Sequence, residues 1–141
     1  MARQHQGSAR IYWLVGASSG IGAALVDQLV ARGHRVAISA RGQERLEARA
    51  AADPDRVLAL PVDVTRLETL CEARDRLVEH WGVPDSLILN AGDYEPMGLA
   101  DFSPALFERL MQVNFLGAVN GIEEVRELFL EQGRGEIVLT A

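Results

Sequence analysis

Five short apolar runs alternate with longer amphipathic stretches along the chain. Arg10 to Val15 reads as a first strand, with Trp13, Leu14 and Val15 consecutive and apolar, as in a strand buried on both faces. Ile21, Leu25 and Leu29 then recur at helical spacing, with Ala24 and Gln28 beside them, so that face is expected to pack and the helix to end at Gly33. Arg35 to Ser39 is a second strand, Gln43 to Ala52 a short Ala- and Arg-rich helix stopped by Asp53-Pro54-Asp55, and Val57 to Pro61 a third strand. Leu67, Leu70, Cys71, Leu77, Val78 and Trp81 mark one side of a third helix, closed by Gly82 and Pro84. Ser86 to Leu89 is a fourth strand. Ser103-Pro104 reads as an N-cap with proline at the first helical position, opening a long helix to Gln132. Gly133 to Gly135 ends that helix, and Glu136 to Thr140 is a fifth strand. Strands alternating with helices at this spacing predict a parallel sheet with right-handed crossovers, an open doubly wound α/β domain over residues 10–141 after a polar tail, 1–9.

Composition narrows the partners. The 141 residues suit one domain, and a net charge of -6 argues against nucleic acid as a general partner. All 14 basic residues are Arg, and Lys is absent. The single cysteine, Cys71, rules out an internal disulfide, fits a reducing compartment, and falls in the apolar stripe of the third helix, where burial is expected. No long uncharged apolar run could span a membrane, and Met1 to Gly7 lacks a signal-peptide core, so the chain reads as cytoplasmic and soluble. His34 lies in a turn with no second ligand at metal spacing, and no metal site is expected.

The chemistry gathers at the strand ends. Gly16-Ala17-Ser18-Ser19-Gly20-Ile21-Gly22 hands the first strand to the first helix. Such a turn needs unusual dihedrals at Gly16, and a phosphate reaches backbone N–H groups only where no Cβ intervenes, which suits Gly20 and Gly22. Ser18 and Ser19 add hydroxyl donors. The spacing is G-x-x-x-G-x-G rather than the commoner G-x-G-x-x-G, and no Lys follows as in a P-loop. A glycine-rich turn that binds nothing would have the same sequence. The second strand end carries Ala40-Arg41, the third Asp63-Val64-Thr65, and the fourth Asn90-Ala91-Gly92; in open α/β sheets ligands bind outside these carboxyl ends.

Taken together and in this order, the four signals resemble the short-chain dehydrogenase/reductase family, whose glycine motif has this three-residue gap. The resemblance runs from Ile11 to Ala141 and implies a Rossmann-type sheet of strand order 3-2-1-4-5. It implies that Gly16, Gly20 and Gly22 are cofactor glycines, with Ile21 also near the pyrophosphate. It further implies that Asp63 and the backbone of Val64 contact the adenine, and that Asn90, Ala91 and Gly92 support the central sheet and approach the cofactor ribose. Asn114, within Val113-Asn114-Phe115-Leu116-Gly117, matches the catalytic asparagine that helps hold a water in a proton relay. Val15 departs from the family, which usually has Thr there. Plainer uses stand beside these roles: Asp63 as a helix N-cap or turn carboxylate, with Thr65 equally able to cap, and Asn114 as a helix amide bonded to neighbouring backbone. Asn114 lies in line with Leu110, Ala118 and Ile122, so it is expected to be buried, while Gly117, Ala118 and Gly121 permit close approach to the sheet.

Cofactor choice rests on the second strand end. An acidic residue about 20 positions after the glycine turn would bind a ribose 2′-hydroxyl and select NAD, whereas Arg accommodates a 2′-phosphate. Ala40 fills the acidic position and Arg41 follows, so NADP is favoured over NAD, unless Arg41 is one more solvated loop arginine.

The family's catalytic serine would follow Thr140-Ala141, and its Tyr-x-x-x-Lys pair would come on the next helix. Tyr12 and Tyr94 are the only tyrosines here, and no Lys exists to complete a pair. Two readings follow. One is the cofactor-binding half of an NADP-dependent dehydrogenase or reductase acting on a carbonyl or alcohol; the other is a dinucleotide-binding or interaction module without catalysis. In either case the fifth strand would be an apolar edge. The long helix carries apolar residues in too many directions for one buried stripe, so the chain is expected to be part of a longer one or to self-associate through the helix starting near Pro104.

Overall fold

The structure, a computed structural model, describes residues 7–140; the first six residues of the tail and Ala141 lie outside the described residues. Five parallel strands form one sheet: β1 (Ile11–Val15), β2 (Arg35–Ser39), β3 (Val57–Ala59), β4 (Ser86–Leu89) and β5 (Glu136–Leu139). Their order is β3-β2-β1-β4-β5, the expected doubly wound arrangement. Trp13 pairs with Ala37 on one side and Leu87 on the other, which makes β1 the centre of the sheet.

Successive residues of a strand face opposite sides, so a continuous apolar run feeds two cores. Trp13 and Val15 join Leu60, Leu70, Leu77, Val125 and Phe129 under α3 (Leu67–Trp81) and α5 (Gly117–Gln132). Leu14 joins Val26, Val36, Ile38 and Leu46 under α1 (Gly20–Ala31) and α2 (Gln43–Ala52). Removing each such side chain from water contributes roughly 1.5–3 kcal/mol, which is why the two faces hold the helices on. The buried Ser39 hydroxyl accepts from Trp13 Nε1 at 2.9 Å, so this polar pair is satisfied within the core.

Several sequence expectations change. Leu29 of α1 packs as expected and Leu25 is half-buried against the same core, but the buried face is completed by Gly22 and Val26, and Ile21 is left 72% exposed. Cys71 is only half-buried: the Arg74 guanidinium folds over its sulfur at 3.1 Å. The ladder of β3 stops at Ala59, although Leu60 and Val62 still donate to Ile38 and Ala40 across Pro61, which has no N–H to give. Ser103 does cap α4 (Pro104–Met111), accepting from the Leu106 N–H at 3.4 Å with Pro104 at the first turn. The long helix is not continuous, because Gln112–Leu116 form a π-helical turn between α4 and α5. His34 is tied down rather than free, its Nδ1 accepting from the Arg10 N–H at 3.1 Å and its ring edge-on to Tyr12. Among the described residues no helix is long and apolar enough to cross a membrane.

Candidate functional site

The sheet reverses its order between β1 and β4, and a cleft of about 490 Å³ opens at the carboxyl ends of the strands there. Its walls bring together Gly16, Ser18, Ser19, Arg41, Asp63, Val64, Asn90, Ala91 and Gly92, nine of the residues singled out from sequence.

The glycine turn begins at Gly16, whose φ of 92° only glycine adopts readily. Its N–H and that of Ala17 donate to the Ser39 carbonyl at 2.7 and 3.2 Å, folding the turn across the end of β2. Asn90 Nδ2 donates to the Gly16 carbonyl at 2.9 Å, and Asn90 Oδ1 accepts from Thr140 Oγ1 at 2.7 Å. One amide thus braces the ends of β1 and β5 from the end of β4. Gly22 serves packing: a Cβ there would collide with the Gly16 carbonyl oxygen and crowd Asn90 Nδ2. Gly20, Ile21 and Gly22 are not cleft-lining residues; they form the first turn of α1, with Gly20 and Ile21 exposed and Gly22 buried.

The turn suits an anion. Ser19 occupies the N-cap of α1 without a side-chain cap bond, and the first turn contains no acidic residue, so the N-terminal N–H groups are left for another acceptor. Arg41 is exposed beside the cleft and makes no ion pair among the described residues. Asp63 is a turn carboxylate: its Oδ1 accepts from the Thr65 N–H at 3.0 Å and from Thr65 Oγ1 at 2.7 Å. Those two bonds hold its carboxyl below the ordinary range; burial opposes them, and the charges of Arg41 and Arg66 add smaller lowerings. Neither Asp63 nor Thr65 caps α3, whose N-cap is Arg66.

Asn114 departs from expectation. It lies in the π-helical turn and is exposed rather than buried, since the extra residue per turn takes it off the Leu110–Ala118 stripe. Both polar atoms of its amide are nonetheless bonded, Oδ1 accepting from the Asp93 N–H at 2.6 Å and Nδ2 donating to the Asp93 carbonyl at 2.8 Å. It lines a small cavity of about 30 Å³ with Val64, Gly117 and Thr140, adjoining the main cleft without forming its wall. Sequence reasoning missed Asp93 and Arg109, which do line the cleft. Arg109 straddles the carboxylates of Asp93 and Glu95. The available signal was an arginine five residues before Asn114 and two acids, Asp93 and Glu95, one and three residues after Gly92, yet only the folded loop brings them together.

A parallel sheet with helices on both faces and a glycine-turned cleft at its point of reversal defines a Rossmann-type doubly wound α/β protein. The chain belongs to the short chain dehydrogenase family, whose sequence model matches residues 10–141. It is 34% identical over 133 residues to a cis-2,3-dihydrobiphenyl-2,3-diol dehydrogenase of Paraburkholderia xenovorans, covering 90% of this chain and 47% of that one. It is 33% identical over 134 residues to an NADPH-dependent pterin aldehyde reductase of Arabidopsis thaliana, covering 93% and 55%. The crystal structure of a short-chain dehydrogenase from Streptomyces avermitilis superposes with a TM-score of 0.86 at 30% identity, over 94% of this chain and 49% of that one. The chain spans about half the length of the curated relatives it matches.

Proposed function

We propose that this chain carries the NADP(H) site of an oxidoreductase that interconverts a carbonyl compound and an alcohol. The observation that carries the cofactor reading is the end of β2, where Ala40 presents no carboxylate and Arg41 offers a guanidinium that has no ion-pair partner among the described residues, at the edge of the cleft. The similarity to an NADPH-dependent pterin aldehyde reductase supports it. Gly16, Ser18, Ser19, Gly20, Ile21 and Gly22 would hold the pyrophosphate against the start of α1, and Arg41 the 2′-phosphate. Asp63 and Val64 would face the base, with Asn90, Ala91 and Gly92 behind the ribose. When bound, the nicotinamide supplies the hydride chemistry. Asn114 fixes the backbone N–H and carbonyl of Asp93, next to Gly92, and would hold the relay water that the matching family asparagine holds.

Isothermal titration with NADP and NAD tests the reading. The unsubstituted chain should prefer NADP, and Arg41→Asp should reverse the order through a loss of about 1.5–3 kcal/mol, roughly ten- to hundredfold in affinity. Equal affinities for the two in the unsubstituted chain would sink it.

A second reading, a dinucleotide-binding or interaction module without catalysis, is favoured by one observation: the 141 residues contain no lysine and two tyrosines, Tyr12 in β1 and Tyr94 at 83% exposure. Under either reading the purified 141-residue chain should show no NADPH-dependent reduction of carbonyl compounds, and turnover that survives repeated purification would refute this. Self-association through the α4–α5 face, and a cytoplasmic setting, belong to the same proposal; exposed Phe107, Met111, Phe115 and Val119 support the first.

A further inference from the structure

Val64 sits where two fixed peptides meet. On its far side, the Val64 carbonyl accepts from Asn120 Nδ2 at 3.1 Å, while the N–H of the same peptide unit, that of Thr65, donates to Asp63 Oδ1. On its near side, the Asp63 carbonyl accepts from the Arg66 N–H at 2.9 Å and shares the Thr69 hydroxyl proton with the Arg66 carbonyl, each oxygen 2.8 Å from Thr69 Oγ1, which itself accepts from the Asp63 N–H at 3.0 Å. The Val64 side chain is buried against α5, where a Cβ on Gly117 would come within 2.6 Å of Val64 Cγ2. Every polar backbone group around Val64 is therefore engaged except one. The Val64 N–H has no acceptor among the described residues, and Val64 lines the cleft. A backbone donor left open in an otherwise saturated segment is pre-organised for a ligand acceptor.

The neighbouring acceptor completes a pattern. Asp63 Oδ1 is taken by Thr65, whereas Asp63 Oδ2 makes no hydrogen bond or ion pair among the described residues. A free carboxylate oxygen next to a free N–H is complementary to a base edge with an amino group beside a ring-nitrogen acceptor. Adenine carries that order at N6 and N1; hypoxanthine carries the reverse, a carbonyl beside an N–H.

We propose that Asn120, with Thr69 on the opposite side, is a positioning residue for base recognition, holding the Val64 peptides so that the Asp63 carboxylate and the Val64 N–H read adenine. Asn120 has no place among the residues expected to touch cofactor. It works from the first turn of α5, on the side of Val64 away from the Asp63 carboxylate. The inference rests on the NADP reading above and adds a residue to it.

Isothermal titration of the 141-residue chain with NADP and with nicotinamide hypoxanthine dinucleotide phosphate separates positioning from general support. The unsubstituted chain should bind the adenine cofactor about tenfold more tightly, the difference expected for one aligned donor. Asn120→Ala should bring the two affinities to within about twofold by weakening NADP alone, the loss again being that of one hydrogen bond. Thr69→Val acts on the other peptide and should narrow the same ratio, with Thr69→Ser restoring it; this pair decides the matter if Asn120→Ala loses its cooperative thermal transition. Equal losses for both dinucleotides, or an unmoved ratio, would overturn the positioning role while leaving NADP binding intact. Failure of the unsubstituted chain to bind either dinucleotide would overturn the NADP reading, and this inference with it.

Discussion

Gly20 and Gly22 lie two residues apart in one turn and answer different demands. Gly20 has a φ of 57° with open space where a side chain would be, whereas Gly22 lies against the Gly16 carbonyl. Gly20→Ala should therefore cost only the left-handed conformation, about 1–2 kcal/mol. Gly22→Ala must displace backbone and should cost about 3 kcal/mol or more, at the upper end of overpacking. Urea denaturation of both variants checks the order; a smaller loss at Gly22 would mean that α1 shifts freely. Asp63 offers a pH test. Its folded pKa lies below the ordinary carboxylate value, so its contribution to stability is present above that value and is lost as pH falls through the folded one. The difference in melting temperature between the chain and Asp63→Asn should stay constant from neutral pH to about pH 5 and close at lower pH. A gap that closes well above that range would show that Thr65 does not hold the carboxylate.

At the scale of elements, the break between α4 and α5 sets the register of everything after it. The π-helical turn lets Asn114 reach Asp93 while Gly117 and Gly121, four residues apart, bring α5 against Val64 and Leu89. Asn114→Ala would leave the backbone N–H and carbonyl of Asp93, which belong to successive peptides, to water. Exchange of the Asp93 amide hydrogen should then accelerate about fivefold to tenfold, the equivalent of one hydrogen bond. Unchanged exchange would show that Arg109 alone holds the loop. A second element contact joins α3 to α5, where Glu124 meets Arg74 at 2.7 Å with its side chain 9% exposed. Burial pushes the Glu124 carboxyl up, and Arg74 offsets this only in part; Arg74 itself is held charged first by its bond to Asp75. A raised folded pKa means that the stability Glu124 contributes is present at low pH and lost as pH rises through that value. Because Gln does not titrate and Arg74 keeps Asp75 as a counter-charge, Glu124→Gln should thus gain stability relative to the unsubstituted chain as pH rises from about 4 to neutrality. Melting curves at both ends of that range test it, and a relative loss at neutral pH would show that the pair is net stabilising.

For the molecule as a whole, the apolar surface is unevenly covered. All four residues of β5 are exposed on the edge of the sheet, and Leu99, Phe102, Phe107, Met111, Phe115 and Val119 stand outside both cores. An edge strand with three consecutive apolar residues, Ile137 to Leu139, and charge only at its start, on Glu136 and on Arg134 before it, has few of the devices by which natural edges stay unpaired. The 141-residue chain should therefore show a sedimentation mass that rises with concentration above 15.4 kDa. A species that remains monomeric and unfolds cooperatively would mean these side chains tolerate water better than their area implies.

The periodicity of apolar residues determined the element order, the parallel sheet and the strand-end location of the cleft, because these follow from local spacing and from the one way βαβ units wind. The glycine turn, Arg41, Asp63-Val64 and Asn90-Ala91-Gly92 were legible for the same reason: each is a short motif at a strand end. Tertiary structure alone decided which face of α1 packs, because Gly22 had to meet the Gly16 carbonyl and this turned Ile21 outward. It also decided that Asn114 would be exposed on a π-helical turn, that Arg109 would reach Asp93 and Glu95, and that Asn120 would hold Val64. Those outcomes depend on hydrogen bonds between residues 14 to 56 positions apart, and no local pattern records a partner that only the closed sheet brings within reach.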